Sequence, residues 1–156
     1  MRLMVTLRVL AVASAGLLAG IFVGYRMGVQ YSLPVIGASS FVQLQQIIHL
    51  HYVKFMPSLG AIALLSSTFW LIVIRSQWRT LEFWMVAVSA CLILVLTAAT
   101  WTISAPLNNE LMTWSVATPP PALRDIWAPW DRVNTLRSVL ATAAFLLETT
   151  ALSLRR

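Results

Sequence analysis

Four long apolar runs constrain what this chain can fold into. They cover about residues 5–29, 57–74, 81–103 and 133–154. A helix needs roughly 20 apolar residues to cross the hydrocarbon core of a bilayer, and in lipid a helix satisfies its own backbone hydrogen bonds. We therefore predict an all-α fold, a transmembrane four-helix bundle that forms one integral membrane domain over residues 1–156.

The charged residues also fit a protein that sits in a bilayer. Only 10% of the residues are Asp, Glu, Lys or Arg, too few to cover the surface of a soluble domain. The net charge is +6, but the basic residues stand at the ends of the apolar runs and form no dense patch. The expected partner is therefore the lipid bilayer, and we expect no nucleic acid to bind.

Four spans would place both termini on one side of the membrane. That side carries six of the 11 basic residues and fewer acidic residues, which favours a multi-pass protein with cytoplasmic termini. Trp78 and Trp84 lie toward that side, and Trp101, Trp114 and Trp127 lie toward the other. We expect these tryptophans to form aromatic belts at the two membrane surfaces.

The segment after Gly37 is too polar for a span and too apolar for a free loop. It opens with serines that can cap a helix and runs to Pro57. We predict an interfacial helix here, between spans one and two. On such a helix Gln45 and His49 share a face, whereas His51 points nearly the opposite way.

Glycines recur every four residues in the first span. Gly16, Gly20, Gly24 and Gly28 lie on nearly one helix face, and small residues let a neighbouring helix approach closely in lipid. We expect this face to pack against a helix of the same chain. The alternative is a homo-oligomer that forms through the glycine face.

Polar side chains concentrate between the third and fourth apolar runs. Pro106 is expected to stop or bend the third helix, so that Asn108 and Asn109 follow at its end. Asparagine side chains at such a position could satisfy freed backbone groups, or they could contact a ligand. The pattern alone does not decide between these two roles.

A second polar group opens the fourth span. Pro129 suits the first turn of a helix, and Trp130, Asn134 and Arg137 then stand at i, i+4 and i+7 on one stripe. An arginine that faces lipid is costly, so we expect the stripe to face the other helices. The stripe either binds a ligand or locks helix ends together.

Glu148 lies deeper in the fourth span. A carboxylate within the membrane is a functional candidate whose partner must be identified. We expect a structural ion pair with Arg8 or Arg75, which lie at similar depths on other spans. Proton handling by Glu148 is the alternative.

Four short motifs occur in this chain in a fixed order. They are AGLLAGIFVG at residues 15–24, FMP at 55–57, PLNN at 106–109 and WDRVNTLR at 130–137. In this combination the chain resembles the anthrone oxygenase-like family of membrane proteins. The resemblance implies a four-helix membrane bundle and an oxygenase that converts phenolic, tricyclic anthrones to anthraquinones.

Candidate residues for such chemistry are present. Arg137 could hold the phenolate or enolate that an anthrone must become before it reacts with oxygen, and His49 could act as the base. In this scheme the substrate carbanion reduces oxygen, and no bound cofactor takes part. The candidate substrate-binding residues, whose side chains could orient or stack on the substrate, are Gln45, Asn108, Asn109, Trp130 and Asn134.

Two alternatives stay open at this point. A metal ion could be bound by His49 and His51 together with Glu110 or Asp131, although the two histidine rings diverge on a helix. Alternatively, the protein is not an enzyme and serves as a membrane scaffold, an accessory subunit or a protein that binds lipids or small molecules.

Overall fold

The computed structural model describes residues 2–154. Within this range the chain is helical and contains no strand, which confirms the all-α prediction. Two of the helices continue through a π-helical turn, one at Tyr25–Gln30 and one at Thr100–Ser104. The α-helices are α1 (Arg2–Gly24), α2 (Ala38–Tyr52), α3 (Met56–Val73), α4 (Leu81–Ala99), α5 (Ala105–Leu111) and α6 (Leu123–Ser153).

Four helical stretches of the described chain are long and apolar enough to cross a membrane. These spans one to four are Met4–Val35, Met56–Val73, Leu81–Leu111 and Leu123–Ser153. They confirm the predicted four-helix membrane bundle, and the protein is an integral membrane protein. Spans one, three and four are longer than predicted. Because α1 and α4 each pack against both α3 and α6, the four spans form a closed ring.

The core of the bundle consists of three apolar layers. The layer near the termini centres on Trp70 and Ile74, and the middle layer centres on Leu18 and Ile93. Alanines fill much of both layers, which lets the helices approach closely. The third layer, at the opposite end, is aromatic and contains Tyr25, Phe41, Trp114, Trp127 and Trp130.

Span three stays helical through Pro106, so of the two predicted effects, a stop or a bend, the stop is wrong. Pro106 is the second residue of α5, a first-turn position where a missing N–H is tolerated. The π-helical turn at Thr100–Ser104 precedes it and absorbs the change of register. Asn108 and Asn109 consequently lie inside α5 rather than beyond the end of a helix.

Span four begins at Leu123 and not at Pro129, which lies inside α6. An internal proline weakens a helix, but the packing of the residues around it compensates. Leu123 is buried, and the ring of Trp127 meets that of Phe41 with centroids 5.9 Å apart. The sequence did indicate this earlier start, because Leu123, Trp127 and Trp130 are spaced i, i+4 and i+7 and so lie on one helix face.

The tryptophans do not all lie at the outer surface of the bundle. Trp78, Trp84 and Trp101 are exposed there, where a belt residue must be. Trp114 and Trp127 are instead buried in the aromatic layer, so the belt prediction is wrong for these two. Their ring centroids lie 6.3 Å apart in an edge-to-face arrangement, which is a favourable geometry for aromatic pairs.

The glycine face packs within the chain at one position only. A Cβ added to Gly16 would lie 2.9 Å from Cε2 of Phe145, so α6 approaches α1 closely there. A Cβ on Gly20, Gly24 or Gly28 would meet nothing within 4 Å. The expected packing inside the chain is therefore wrong for these three glycines, and a contact with a second copy stays a prediction.

Glu148 does not pair with either of the predicted arginines. It is fully buried, and its Oε1 accepts hydrogen bonds from Ser67 Oγ at 2.6 Å and from Ser89 Oγ at 2.8 Å. Arg8 instead forms an ion pair with Glu82, with 2.8 Å between Nη2 and Oε1. Sequence position gave the depth of each group but not the rotation of α1 that turns Arg8 toward α4.

Candidate functional site

A cavity of about 500 Å³ lies at the end of the bundle opposite the termini. Its walls come from α1, α2, α3, span three and α6. Most of the lining is apolar, including Phe22, Leu64 and Leu96, and a small number of polar groups converge on it. A concave, mostly apolar space with a few polar groups is typical of sites for small organic molecules.

The cavity brings together the catalytic and substrate-binding candidates found in the sequence. The face of α2 that was predicted to be shared by Gln45 and His49 meets the polar stripe of α6 across this space. The candidates that line the cavity are Gln45, His49, Asn108, Asn109, Trp130, Asn134 and Arg137.

Arg137 is the buried cation of the cavity wall, with only 5% of its surface exposed. It donates to Thr100 Oγ1 and to Asn134 Oδ1, both at 3.3 Å, which is long for a hydrogen bond. Its guanidinium carbon lies 4.9 Å from the ring centroid of Phe22. Among residues 2–154 no carboxylate pairs with Arg137, and its Nε has no hydrogen-bond partner. The guanidinium therefore retains the capacity to bind an anion.

Asn134 connects Arg137 to the first span. While its Oδ1 accepts from Arg137, its Nδ2 donates to Gln30 Oε1 at 2.9 Å. Gln30 Nε2 in turn donates to the backbone oxygen of Asp131 at 3.1 Å. Gln30 reaches this position from the π-helical turn of span one, and such turns are frequent at functional sites.

Tyr25 links the same π-helical turn to α2. Its hydroxyl donates to Gln45 Oε1 at 2.8 Å, and both residues are buried. The Tyr25 ring packs edge-on against Trp130 with centroids 5.2 Å apart. Gln45 is thereby held against the aromatic layer, and its predicted contact with a ligand would compete with this hydrogen bond.

Trp130 has one ring face occupied within the protein. Its ring is stacked on Trp127 with centroids 4.9 Å apart and an interplanar angle of 18°. The guanidinium carbon of Arg137 lies 5.2 Å from the Trp130 ring centroid. The indole N–H of Trp130 is buried without a hydrogen-bond partner among the described residues. Since Trp127, Arg137 and Tyr25 surround the ring and Trp130 is only 8% exposed, a ligand in the cavity can reach only a small part of this side chain.

His49 is half-buried at the cavity wall. Burial lowers the pKa of His49 below its ordinary value of 6.5, because the charged imidazolium is less well solvated than in water. The neutral imidazole is consequently the main form at neutral pH. A neutral imidazole can accept a proton from a bound molecule.

The residues of the metal alternative do not assemble into a site. His51 is exposed, and its Nδ1 lies 2.8 Å from the backbone oxygen of Ile47. Glu110 is also exposed, and neither residue lines the cavity with His49. Asp131 lies outside the lining too. Residues 2–154 contain no group of three or more His, Cys, Asp or Glu side chains that could hold a metal ion.

Sequence reasoning missed three polar contributors to this site. Tyr25, Gln30 and Thr100 are single polar residues at the ends of apolar runs, where each one resembles an interfacial residue. The two π-helical turns that contain them turn all three side chains toward α2 or α6. No simple residue pattern announces a π-helical turn, so these partners required the structure.

Comparison with known protein families gives one match. A family model described as anthrone oxygenase matches residues 45–147 of the 156-residue chain, which is more than half of it. The chain belongs to the anthrone oxygenase family. The matched region contains every cavity residue contributed by α3, span three and α6, and those of α2 from Gln45 onward. No curated protein and no solved structure matched the chain.

Proposed function

We propose that this family member is a membrane-embedded oxygenase that acts on a small phenolic, anthrone-like substrate in the cavity. The observation that carries the proposal is Arg137, a buried cation at the wall without a carboxylate partner among residues 2–154. Burying a charge is costly unless it is compensated, and a phenolate or enolate would provide that compensation. Membership of the anthrone oxygenase family supports the same substrate class.

Five polar residues of the cavity have a part in this proposal. Arg137 stabilises the negative charge that develops on the substrate oxygen. The amides of Asn108, Asn109 and Asn134 orient the carbonyl and phenol oxygens. His49 acts as general base and removes a proton from the methylene carbon of the anthrone.

The proposed reaction balances without an external reductant. His49 takes one methylene proton and leaves an enolate, which transfers electrons to dioxygen as its carbon bonds to oxygen. The resulting peroxide anion takes that proton back from His49 and becomes a hydroperoxide. The hydroperoxide then loses its remaining C–H proton and hydroxide, which gives the ketone and water. One dioxygen molecule is consumed per anthrone, with one oxygen atom in the product and the other in water.

Conversion of a dihydroxyanthrone by the purified protein in lipid nanodiscs tests the proposal. We expect the corresponding anthraquinone, with one oxygen atom derived from isotopically labelled dioxygen. Arg137→Gln and His49→Gln should each lower kcat/KM by about a hundredfold. The matched controls are Arg132→Gln and His51→Gln, because Arg132 and His51 are exposed residues of the same two helices. Oxidation no faster than in empty nanodiscs, or equal losses in the controls, would refute the proposal.

A specific observation favours a non-enzymatic role as the second candidate. Gln30, Thr100, Asn134 and Arg137 already bond to one another across three spans, as residues of a structural lock would. Reversible binding of a dihydroxyanthraquinone without turnover of the anthrone would indicate a binding protein. A loss of thermal stability alone in Arg137→Gln would indicate a scaffold.

We further propose that the cavity lies at the non-cytoplasmic end of the bundle. The excess of basic residues at the other end supports this orientation. A cysteine introduced at Ala117, in a Cys91→Ser background, should react with a membrane-impermeant maleimide added outside intact cells. Reaction only from the cytoplasmic side would reverse the orientation.

A further inference from the structure

We infer that the cavity opens sideways into the bilayer, through a gap between α3 and span three, and that its ligand enters from the lipid. The nature of the ligand, an apolar phenolic ring system, rests on the proposed function. The position of the opening rests on the geometry of the two helices alone.

Two rows of residues border the gap. Pro57, Ala61 and Leu64 stand at i, i+4 and i+7 on α3, and Thr97 and Trp101 face them at i and i+4 on span three. All five line the cavity, and Pro57, Ala61 and Trp101 are also exposed, Trp101 by 66%. Val53 and Asn109 are exposed lining residues as well, and they continue the gap toward the end of the bundle. Residues that belong both to a cavity wall and to the outer surface mark the place where the cavity opens.

The gap lies at the depth of the membrane. Ala61 is five residues into the span that begins at Met56, or about 7.5 Å along the helix at about 1.5 Å per residue. Trp101 lies ten residues before Leu111, the last residue of span three. An opening at this depth faces acyl chains or their boundary with the headgroups, rather than bulk water.

The border of the gap is suited to an apolar molecule. Thr97 is the polar member of the two rows, and the Thr97 hydroxyl is satisfied by a 2.7 Å hydrogen bond to the backbone oxygen of Ile93. Gly60 lines the cavity beside Ala61, and a Cβ added to it would meet nothing within 4 Å. A flat ring system can therefore pass without breaking a hydrogen bond, which would be costly in lipid.

Away from the gap, α2 is fastened to the end of α5. Gln46 Nε2 donates to the backbone oxygens of Leu111 at 3.0 Å and Trp114 at 2.9 Å. These three residues lie outside the cavity lining. The gap beside Ala61 has no such fastening among the described residues.

A spin label tests the surroundings of the gap independently of any ligand. In a Cys91→Ser background, the label is attached to a cysteine at Ala61 or, as control, at Ala117 in the loop after α5. The label at Ala61 should collide more with dioxygen, which concentrates in lipid, than with a water-soluble nickel complex, and the label at Ala117 should show the reverse. Greater access of the nickel complex at Ala61 would overturn the inference.

Binding kinetics test passage through the gap. Ala61→Trp should slow both association and dissociation of a dihydroxyanthraquinone in lipid vesicles by about tenfold, because a large side chain obstructs the entrance in both directions. The matched control is Ala98→Trp, since Ala98 is exposed on α4 but does not line the cavity. Equal rates in the two variants, or a weaker Kd without slower association in Ala61→Trp, would overturn the inference.

The two experiments separate this inference from the proposed function. If the wild-type protein does not bind the anthraquinone, the proposed substrate class fails, and the spin label still tests whether the gap beside Ala61 faces lipid. If binding occurs and Arg137→Gln weakens Kd while Ala61→Trp leaves both rates unchanged, the substrate class stands and the lateral entrance falls. Should Ala61→Trp fail to fold, Ala61→Leu serves as the smaller obstruction.

Discussion

Two buried arginines at opposite ends of the bundle have different kinds of partner. Arg8, near the termini, is 8% exposed and pairs with Glu82 at 2.8 Å, while Glu82 also accepts from Trp70 Nε1 at 3.2 Å. Arg137, at the cavity, is 5% exposed and contacts only a hydroxyl, an amide oxygen and two aromatic rings among the described residues.

Arg8 has a carboxylate partner within the protein, whereas Arg137 has none among the described residues. A buried ion pair holds its helices in register, and the loss of either partner leaves the other charge uncompensated. The cavity end holds its cation with dipoles and ring faces, which are weaker partners than a carboxylate. The end near the termini thus holds its arginine with a carboxylate, whereas Arg137 at the cavity would gain a comparable partner from the anionic ligand that we propose.

The largest effect is expected at the end near the termini. Arg8→Met should lower the free energy of unfolding by about 3–5 kcal/mol, because it leaves Glu82 buried without its cation. Thermal and denaturant unfolding in detergent would measure the loss. The double variant Arg8→Met/Glu82→Leu is the control and should recover most of it. A single variant as stable as wild type would remove the contrast between the two ends.

The corresponding change at the cavity should affect binding more than stability. Arg137→Met removes a cation that leaves no unpaired carboxylate behind, so we expect the free energy of unfolding to change by less than about 1.5 kcal/mol. Its Kd for a dihydroxyanthraquinone should rise by about tenfold to a hundredfold, since a hydrogen bond to a charged group contributes about 1.5–3 kcal/mol. A destabilisation as large as that of Arg8→Met, with Kd unchanged, would identify Arg137 as structural.

A substitution at Glu148 tests whether a change deep in the bundle affects ligand binding at the cavity. Glu148→Gln keeps an oxygen that can accept from Ser67 and Ser89, so unfolding should change by about 1 kcal/mol or less. The Kd for the anthraquinone should not change, because the apolar layer around Leu18 and Ile93 separates Glu148 from the cavity. Titration of wild-type and variant protein with the same ligand measures this. Weaker binding in the variant would show that a polar connection crosses that layer.

The smallest expected effect is a pH dependence carried by His49. Its folded-state pKa lies below the ordinary 6.5, so as the pH falls from 6.5 the unfolded chain gains a proton before the folded one does. Stability contributed by neutral His49 is present above 6.5 and declines toward the lower folded-state pKa. The acidic limb of kcat/KM should be centred on that lower folded-state pKa, since the base must be neutral.

His49→Gln should abolish this acidic limb and flatten the pH dependence of the thermal midpoint. The control is His51→Gln, because His51 is exposed on the same helix. Both profiles can be recorded on one preparation between pH values above and below 6.5. A limb that persists in His49→Gln would assign the titration to another group.

Periodicity explains what could be predicted from the sequence. The four spans follow from the length of the apolar runs, and the inward position of Trp130, Asn134 and Arg137 follows from helical spacing and the cost of an arginine in lipid. The shared face of Gln45 and His49 follows in the same way. These predictions needed only the rotation of one helix about its own axis.

The contacts between helices could not be predicted in this way. In lipid an apolar residue is as acceptable on the outside of a bundle as in its core, so the composition around Trp127 suits a surface belt as well as the aromatic layer. Glu148 illustrates the same limit, because depth suggested Arg8 as its partner while rotation supplied Ser67 and Ser89. Which helix faces pack together depends on the complementary shapes of their side chains, and a single sequence gives little information about that.

The π-helical turn in span three makes the number of residues as important as their identity. Each residue advances an α-helix by about 100°, and a π-helical turn holds one residue more than an α-helical turn. Deleting one residue within Thr100–Ser104 would therefore convert this turn to α-helical geometry and leave Asn108 on the same side of the helix. Deleting one residue from the regular α-helix of α4 would instead rotate Asn108 by about 100°, away from the cavity. The position of the asparagines of α5 thus depends on the number of residues upstream of them, and the π-helical turn is the place where that number can change.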